Sequence, residues 1–445
     1  MVNEARTDVE IGTEVLSANR RPFVLAPFRG LRFNPETVGD LGTVISPPYD
    51  VLDAEIVRDL EAANRRNIVR LILSRRFERP YLAVRKRLRS WREKGYLRAD
   101  DVPALYLYQY TADNVTVRGL IGLAALRGES ERVILPHEDV MPGPVDDRTV
   151  LMRTTESNLE PILLVHQGSA ALHTLLEQIA QERPLTEFSA LDTSQHRVWS
   201  ITDTACLGLV SAELANTQAL IADGHHRYAA YLNLQKELRD PTAAPDGSPW
   251  DYGLALLVDQ HDYPLTVGPI HRSVGALTFS DVQELCIERG DEFATFPDRE
   301  AAFAAQAANS TETPLSAGNA HPGDTADLGS TGHPGDTGKA SFVLSDGRSW
   351  ALLSTPRTHQ VDAAVLHENV FEAWQIAEEQ VGYHHSLDQA LHTTARQPGI
   401  VIAVHPPTVQ QVMAAAARGV RMPRKSTSFA PKPRMGVVMR DLRDS

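Results

Sequence analysis

Leu220-Ile-Ala-Asp-Gly-His-His-Arg-Tyr228 is the stretch that decides how the rest of the chain is read. Apolar residues run into Asp223, a glycine turns the backbone, and Ala230, Tyr231, Leu234 and Leu238 then recur at helical spacing. The stretch predicts a short buried strand, a turn at Gly224 and a helix opening near His225. Gly224 permits a backbone conformation and a close ligand approach that a side chain would block. The first turn of a helix offers unpaired N–H groups and the positive end of its dipole, which suits a phosphate. Arg227 adds a permanently charged bidentate donor, and His225 and His226 add donors whose charge varies near neutral pH. Asp223 could hold Mg2+ or orient a histidine. The plain alternative is a strand–helix turn capped by Asp223 with surface histidines. Four polar groups around one glycine favour the ligand site. One metal shared by the two histidines is disfavoured, because adjacent helical residues project about 100° apart.

Outward from that turn, strands and helices alternate. Gly42–Asp50 reads as a short strand stopped by Pro47 and Pro48, and Asp53 as the N-cap of a helix through about Ala63. A helix is marked from Pro80 to Gly95 by Tyr81, Val84, Leu88 and Trp91. Strands follow at Ala104–Tyr110 and Thr116–Leu126, then a loop over Leu135–Arg148, with short buried strands at Pro161–His166 and Gln218–Ala222. Between about 309 and 340 Ser, Thr, Gly, Ala, Asp and Pro dominate, and His-Pro-Gly-Asp-Thr occurs at both 321–325 and 333–337. With almost nothing to bury, this is an expected disordered insertion. A hairpin pivots on Asp346-Gly347, and a helix is expected near Asp362–Gln380. The fold class is α/β to mixed α+β. The expected organisation is a flexible leader at 1–20, a core at 21–275, a smaller α/β segment at 276–360 with the insertion, and a C-terminal segment at 361–445 packing back on the core.

Composition narrows the functions. The chain has 445 residues with 44 Lys+Arg against 57 Asp+Glu, a formal charge of -13. Duplex binding is driven mainly by neutralising phosphates, so nucleic acid is disfavoured as a partner. Two cysteines, Cys206 and Cys286, cannot build a zinc cluster or a disulfide framework. The acidic N-terminal stretch lacks the apolar core of a signal peptide, and no apolar run approaches the roughly 20 residues needed to span a bilayer. A soluble cytoplasmic protein is the default; a homo-oligomer is compatible with the sequence.

Four further features could carry chemistry. His137-Glu138 with Asp147-Arg148 could supply a general base or Mg2+ ligand and a phosphate-neutralising arginine, although on spacing alone a solvated loop with one weak ion pair is the better reading. Between Arg418 and Arg440 there are seven Lys or Arg and no acid, and Lys425 beside Ser426 and Thr427 is suited to grip an anion. Thirteen Arg or Lys between Arg65 and Arg98 could mark a nucleic-acid surface, but no interleaved aromatics suggest base stacking. Asp50, in Pro-Pro-Tyr-Asp, could present a carboxylate on a rigid turn or cap the next helix.

Together these segments resemble domain-of-unknown-function family 1015. The matching elements are Pro27-Phe-Arg-Gly30, Pro48-Tyr-Asp-Val51, Trp91 before Gly95, and His137-Glu138 with Asp147-Arg148. They continue through Asn158, Pro161, Ala222-Asp-Gly-His-His-Arg-Tyr228, His271-Arg272 and Met422-Pro-Arg-Lys-Ser-Thr-Ser-Phe-Ala-Pro-Lys432. Val140 stands where the family usually has Thr. Members are often labelled as SpoOJ/ParA/ParB/RepB-like, and the Asp-Gly-His-His-Arg turn is similar to the phosphate-binding turn of the ParB/sulfiredoxin superfamily. That superfamily includes CTP-hydrolysing partition proteins, ATP-using sulfiredoxins and free-serine kinases.

The resemblance implies a ParB/sulfiredoxin-like core elaborated by extra strands and helices, with nucleotide phosphates at Gly224, His225, His226 and Arg227. The expectation is a kinase using ATP, ADP or CTP with Mg2+ on a small hydroxylated metabolite, free L-serine first. Glu138 or Asp50 would take the acceptor proton, Asp223 would serve the catalytic centre or the metal, and Arg148, Lys425 and Ser426 would hold developing charge. Tyr49, Arg29, His137, Asp147 and Lys432 complete the candidates. The alternatives are a nucleotide-switched DNA-binding protein, which would need a helix-turn-helix that no stretch after residue 240 supplies convincingly, and a phosphate-ester hydrolase.

Overall fold

The computed structural model describes residues 20–73, 80–112, 114–309, 338–359, 361–396 and 398–444. The expected leader, but for residue 20, and nearly all of the expected insertion lie outside the described residues. The chain forms two compact units: Met1–Thr266 with Met413–Arg421 and Phe429–Ser445, and Val267–Val412 with Met422–Ser428.

The first unit is built on a nine-stranded mixed sheet. Its strands are β1 (Leu25–Ala26), β2 (Leu105–Ala112), β3 (Val115–Ala125), β4 (Ile134–Leu135), β5 (Ile162–His166), β6 (Thr186–Ser189), β7 (Gln195–Ile201), β8 (Ala219–Asp223) and β9 (Tyr252–Asp259). They lie in the order β4-β8-β5-β9-β3-β2-β7-β6, with β1 paired to β3. β8 runs antiparallel to β5 and parallel to β4, and β9 runs parallel to β5. All five residues of β5 and the inner six of β9 are buried. Both sheet faces are therefore covered, which is why these strands read as unbroken apolar runs rather than alternating ones.

Four helices frame the region of interest: α1 (Ala54–Ala63), α2 (Pro80–Glu93), α3 (Pro142–Thr155) and α4 (His225–Leu238). Asp53 caps α1 by accepting from the amides of Glu55 and Ile56. α2 buries Val84, Leu88 and Trp91, the residues whose spacing announced it. Two expectations are corrected. Gly42–Asp50 is no strand: Leu41–Thr43 is a 3-10 turn, Ser46 makes an isolated bridge to Met435, and Tyr49–Val51 is another 3-10 turn. The expected loop over Leu135–Arg148 already contains the first half of α3. Pro142 opens that helix at a position where its missing N–H costs nothing.

Residues after Phe429 thread through this unit. Met435 pairs with Ser46, Met439 with Leu31, and Arg440–Asp441 lie antiparallel to Ser157–Asn158. Met435 and Met439 are buried with Leu31, Ile68, Leu71, Val84 and Trp91 in one apolar cluster.

The second unit holds a six-stranded antiparallel sheet. β10 (His271–Gly275), β11 (Glu292–Phe296), β12 (Lys339–Ser345), β13 (Trp350–Pro356), β14 (Val381–His384) and β15 (Gly399–Ala403) lie in the order β11-β13-β12-β15-β10-β14. The β12–β13 hairpin turns at Asp346-Gly347 as expected, with Gly347 at φ 89°. The expected helix near Asp362–Gln380 is broken into Asp362–Ala364, a π-helical run Val365–Phe371 and a 3-10 turn Glu378–Gln380.

Candidate active site

β8 delivers Asp223 at its end, and Gly224 turns the chain into α4 with φ 97° and ψ 29°. The positive φ calls for glycine, and a Cβ there would also press on the Arg227 Nε and the Ile162 side chain at 3.0 Å. One helical turn on, Arg227 folds back: it pairs with Asp223 and donates to the Pro161 carbonyl oxygen. It is 2% exposed. Burial opposes its charge, but Asp223 and Glu160 more than offset this and hold its pKa above the ordinary range. Its Nε is buried without a hydrogen-bond partner among the described residues.

Lys432 arrives on the C-terminal thread. Its Nζ lies 2.5 Å from Asp50 Oδ2 and 2.7 Å from Asp223 Oδ1. Burial would depress the lysine, yet Asp223 and Asp50 keep it charged well above its usual range. Asp50 Oδ1 is buried with no partner among the described residues. Behind this group, Arg148 reaches Asp147 at 2.5 Å and Glu160 at 3.1 Å, and its guanidinium stands 4.8 Å from the centre of the Tyr49 ring. Burial pushes the Tyr49 hydroxyl up to about 12, against the pull of Arg227. Burial also raises the Glu160 carboxyl, against Arg227 and Arg148, and Glu160 Oε1 is a third buried oxygen or nitrogen here with no described partner.

The histidines serve a neighbouring loop. His225 Nε2 accepts the His137 amide at 3.4 Å, and His226 Nε2 accepts the Met141 amide at 3.0 Å. The opening turn of α4 thus fixes the loop carrying Glu138, whose Oε1 lies 3.5 Å from His225 Nδ1. His137 packs edge-on to His225 with ring centres 4.5 Å apart, and burial drives its pKa down to about 3.

The structure therefore gathers Tyr49, Asp50, Asp147, Arg148, Asp223, Gly224, Arg227 and Lys432, with His137, Glu138, His225 and His226 joined through the α4 turn. The remaining candidates are held by other contacts. Arg29 donates to the Asp100 carbonyl oxygen, beside the Arg32–Asp100 ion pair. Lys425, at φ 56°, and Ser426, which donates to the Pro423 carbonyl oxygen at 2.6 Å, belong to the second unit. Glu160 escaped sequence reading, although a lone acid just before the apolar run Pro161–His166 was a signal. In the basic stretch, Arg92 is bound to Asp441 and Asp444, Arg89 to Glu93, and Arg66 lies over Tyr96, so part of that charge is spent internally.

No three described His, Cys, Asp or Glu residues converge as a metal site. Mg2+ commonly takes only one or two carboxylates and completes its shell with water and substrate phosphates. Asp50 and Asp223, both half-buried and with Asp50 Oδ1 free of a described hydrogen-bond partner, fit that partial role beside a bound phosphate chain.

The sequence matches the family described as a protein of unknown function, DUF1015, over residues 25–377. The chain belongs to that family. The matched stretch contains Asp50, Glu138, Arg148 and the 223–227 turn; Lys432 lies beyond it. Among curated proteins none matches. Several solved structures show low-level likeness. A free serine kinase in complex with AMP is 17% identical, with TM-score 0.34 over 67% of this chain and 84% of its own. A conserved hypothetical protein from Pyrococcus furiosus is 16% identical, with TM-score 0.33 over 67% and 87%. C-terminally truncated SbnI from Staphylococcus aureus is 11% identical, with TM-score 0.36 over 71% and 84%. Likeness at this level fixes neither a shared fold nor a shared activity. No described helix is long and apolar enough to cross a membrane.

Proposed function

We propose that the chain is a nucleotide-dependent phosphotransferase acting on a small hydroxylated metabolite. The observation that carries this reading is Lys432, held between Asp50 and Asp223 at the mouth of a glycine turn that opens a 14-residue helix. A helix N-terminus, a lysine and a buried arginine with an open Nε together form a donor set for phosphate oxygens. The same cluster carries four carboxylates, Asp50, Asp147, Glu160 and Asp223, against the cations Arg148, Arg227 and Lys432. That balance does not favour a bare polyphosphate. It suits one that arrives with a divalent cation, which Asp50 and Asp223 would help to hold and which would neutralise phosphate charge.

In the reaction, the acceptor hydroxyl oxygen forms a bond to the terminal phosphorus as the bond from that phosphorus to the nucleotide's bridging oxygen breaks. On this reading Asp50, through Oδ1, takes the hydroxyl proton, while Lys432 and Arg227 hold the phosphate oxygens. Such catalysis is mostly positioning and electrostatics and needs no covalent nucleophile. Glu138, held beside His225 at 3.5 Å, is the alternative acceptor of that proton. Free L-serine is the first acceptor to test, on the similarity of the 223–227 turn to that of free-serine kinases. The fold assigned to the core is ParB/sulfiredoxin-like on the same ground.

The test is nucleotide turnover with L-serine and a panel of hydroxylated acids, in wild type, Asp50→Asn and Arg227→Ala. Acceptor-dependent transfer should fall by about 10²–10⁴ in Asp50→Asn and be lost in Arg227→Ala, with the circular dichroism of both unchanged. Undiminished turnover in folded Arg227→Ala would remove the assignment.

A further inference from the structure

Beside the candidate site lies a cavity of about 250 Å3 lined by Gly42, Ile45, Ser46, Pro47, Ile56, Asp59, Leu60, Ala190, Leu191, Asp192 and Arg434. Its walls are mainly apolar, and two of its large hydrophobics face solvent in this state, Leu191 at 54% exposure and Ile56 at 37%. Exposed aliphatic side chains that line one concave site, with a few polar groups at the rim, are the usual make-up of a small-molecule pocket. At this volume the cavity is slightly below the typical lower bound of about 300 Å3 for drug-sized ligands, so it suits a fragment rather than a whole nucleotide.

Chain geometry ties this cavity to the phosphate site. Ser46 and Met435 exchange backbone hydrogen bonds, at 3.2 Å and 2.8 Å, so two strands of chain run side by side here. On one, Pro47 lines the cavity and Asp50 lies three residues on. On the other, Arg434 lines the cavity and Lys432 lies two residues back. With at most about 3.6 Å per residue, these steps span no more than roughly 11 Å and 7 Å. Asp50 and Lys432 then meet each other at 2.5 Å. The cavity wall thus lies within roughly 11 Å of Asp50 and 7 Å of Lys432 along the chain.

Resting on the phosphotransferase reading, we propose that this cavity receives the nucleoside half of the nucleotide. Ile45, Pro47, Ile56, Leu60 and Leu191 supply apolar surface for the two faces of a base. Asp59, on the exposed side of α1, and Asp192, which is paired with Arg434, place carboxylates at the rim for the ribose hydroxyls. Gly42 is what lets the wall close: a Cβ there would stand 1.9 Å from the Ser189 carbonyl oxygen.

The test compares Mg·ADP with Mg·pyrophosphate on the full chain by calorimetry, in wild type, Leu191→Trp and Ile56→Arg. Both substitutions fall on exposed side chains, so folding should survive. Wild type should bind ADP at least tenfold more tightly than pyrophosphate. Each variant should lose at least tenfold in ADP affinity and keep its pyrophosphate affinity within twofold. Unchanged ADP affinity in both variants overturns the nucleoside cavity and leaves the phosphate site standing. Failure of wild type to bind either probe overturns both readings.

Discussion

Gly224 shows how narrow the tolerance of this site is. At φ 97° any side chain is strained, and a Cβ would press on the Ile162 side chain and Arg227 at 3.0 Å. Gly224→Ala should cost about 1–2 kcal/mol from the backbone alone, read as a lower urea midpoint, and should weaken nucleotide binding further by displacing Arg227. Asp223 and Arg227 were each legible as polar groups around Gly224, but their ion pair was not, because it joins the end of a strand to the first turn of the next helix. Lys432 was named through family resemblance only. Its partners Asp50 and Asp223 are remote in sequence, and nothing in local spacing reports a contact made by threading. Glu160 was missed for the opposite reason: its acid is masked by the apolar strand it precedes, and only burial against Arg148 gives it meaning.

At the scale of elements, the α4 turn and the C-terminal thread do the positioning. Strands β2, β3, β5 and β8 and helices α1, α2 and α4 were readable because apolar period and capping residues agree there. The segment Gly42–Asp50 and the start of α3 were misread, since Pro47, Pro48 and Pro142 fix backbone conformation without stating which neighbour the chain will meet. The thread is anchored by Met439, fully buried against the cluster that includes Leu31 and Trp91. Met439→Ala should therefore destabilise the first unit by about 2–5 kcal/mol, seen in chemical denaturation, and lower nucleotide affinity although the residue touches no ligand. A stable variant with normal affinity would show that the thread does not hold Lys432 in place.

For the whole molecule, buried neutral histidines set the acid limit of stability. Burial lowers His137 to about 3 and His196 to about 4 in the first unit, and His367 to about 3 in the second. In the second unit His271 is also lowered to about 4, by burial and then by Arg272. A histidine depressed in the folded state is protonated first when unfolded. Its contribution is complete above the ordinary value of 6.5 and is lost as pH falls toward the folded pKa. Each such group should remove about 1.4 kcal/mol per pH unit in that window. The unfolding midpoint should be flat above pH 7 and fall steeply between pH 6 and pH 4. His196→Phe, which removes one of these groups, should shallow the slope; an unaltered slope would mean that acid sensitivity arises elsewhere.

The central claim is that Lys432, Asp50 and the 223–227 turn form one nucleotide-phosphate site. The most direct measurement is thermal stability with and without Mg·ADP and Mg·ATP, in wild type, Lys432→Met and Arg227→Ala. At one hundred times its dissociation constant, a ligand specific for the folded state adds about 2.7 kcal/mol. The account predicts a clear upward shift in wild type, dependent on Mg2+ and absent from both variants. A shift of equal size in Lys432→Met and Arg227→Ala would place the nucleotide elsewhere, and no shift in wild type with either nucleotide would contradict the account outright.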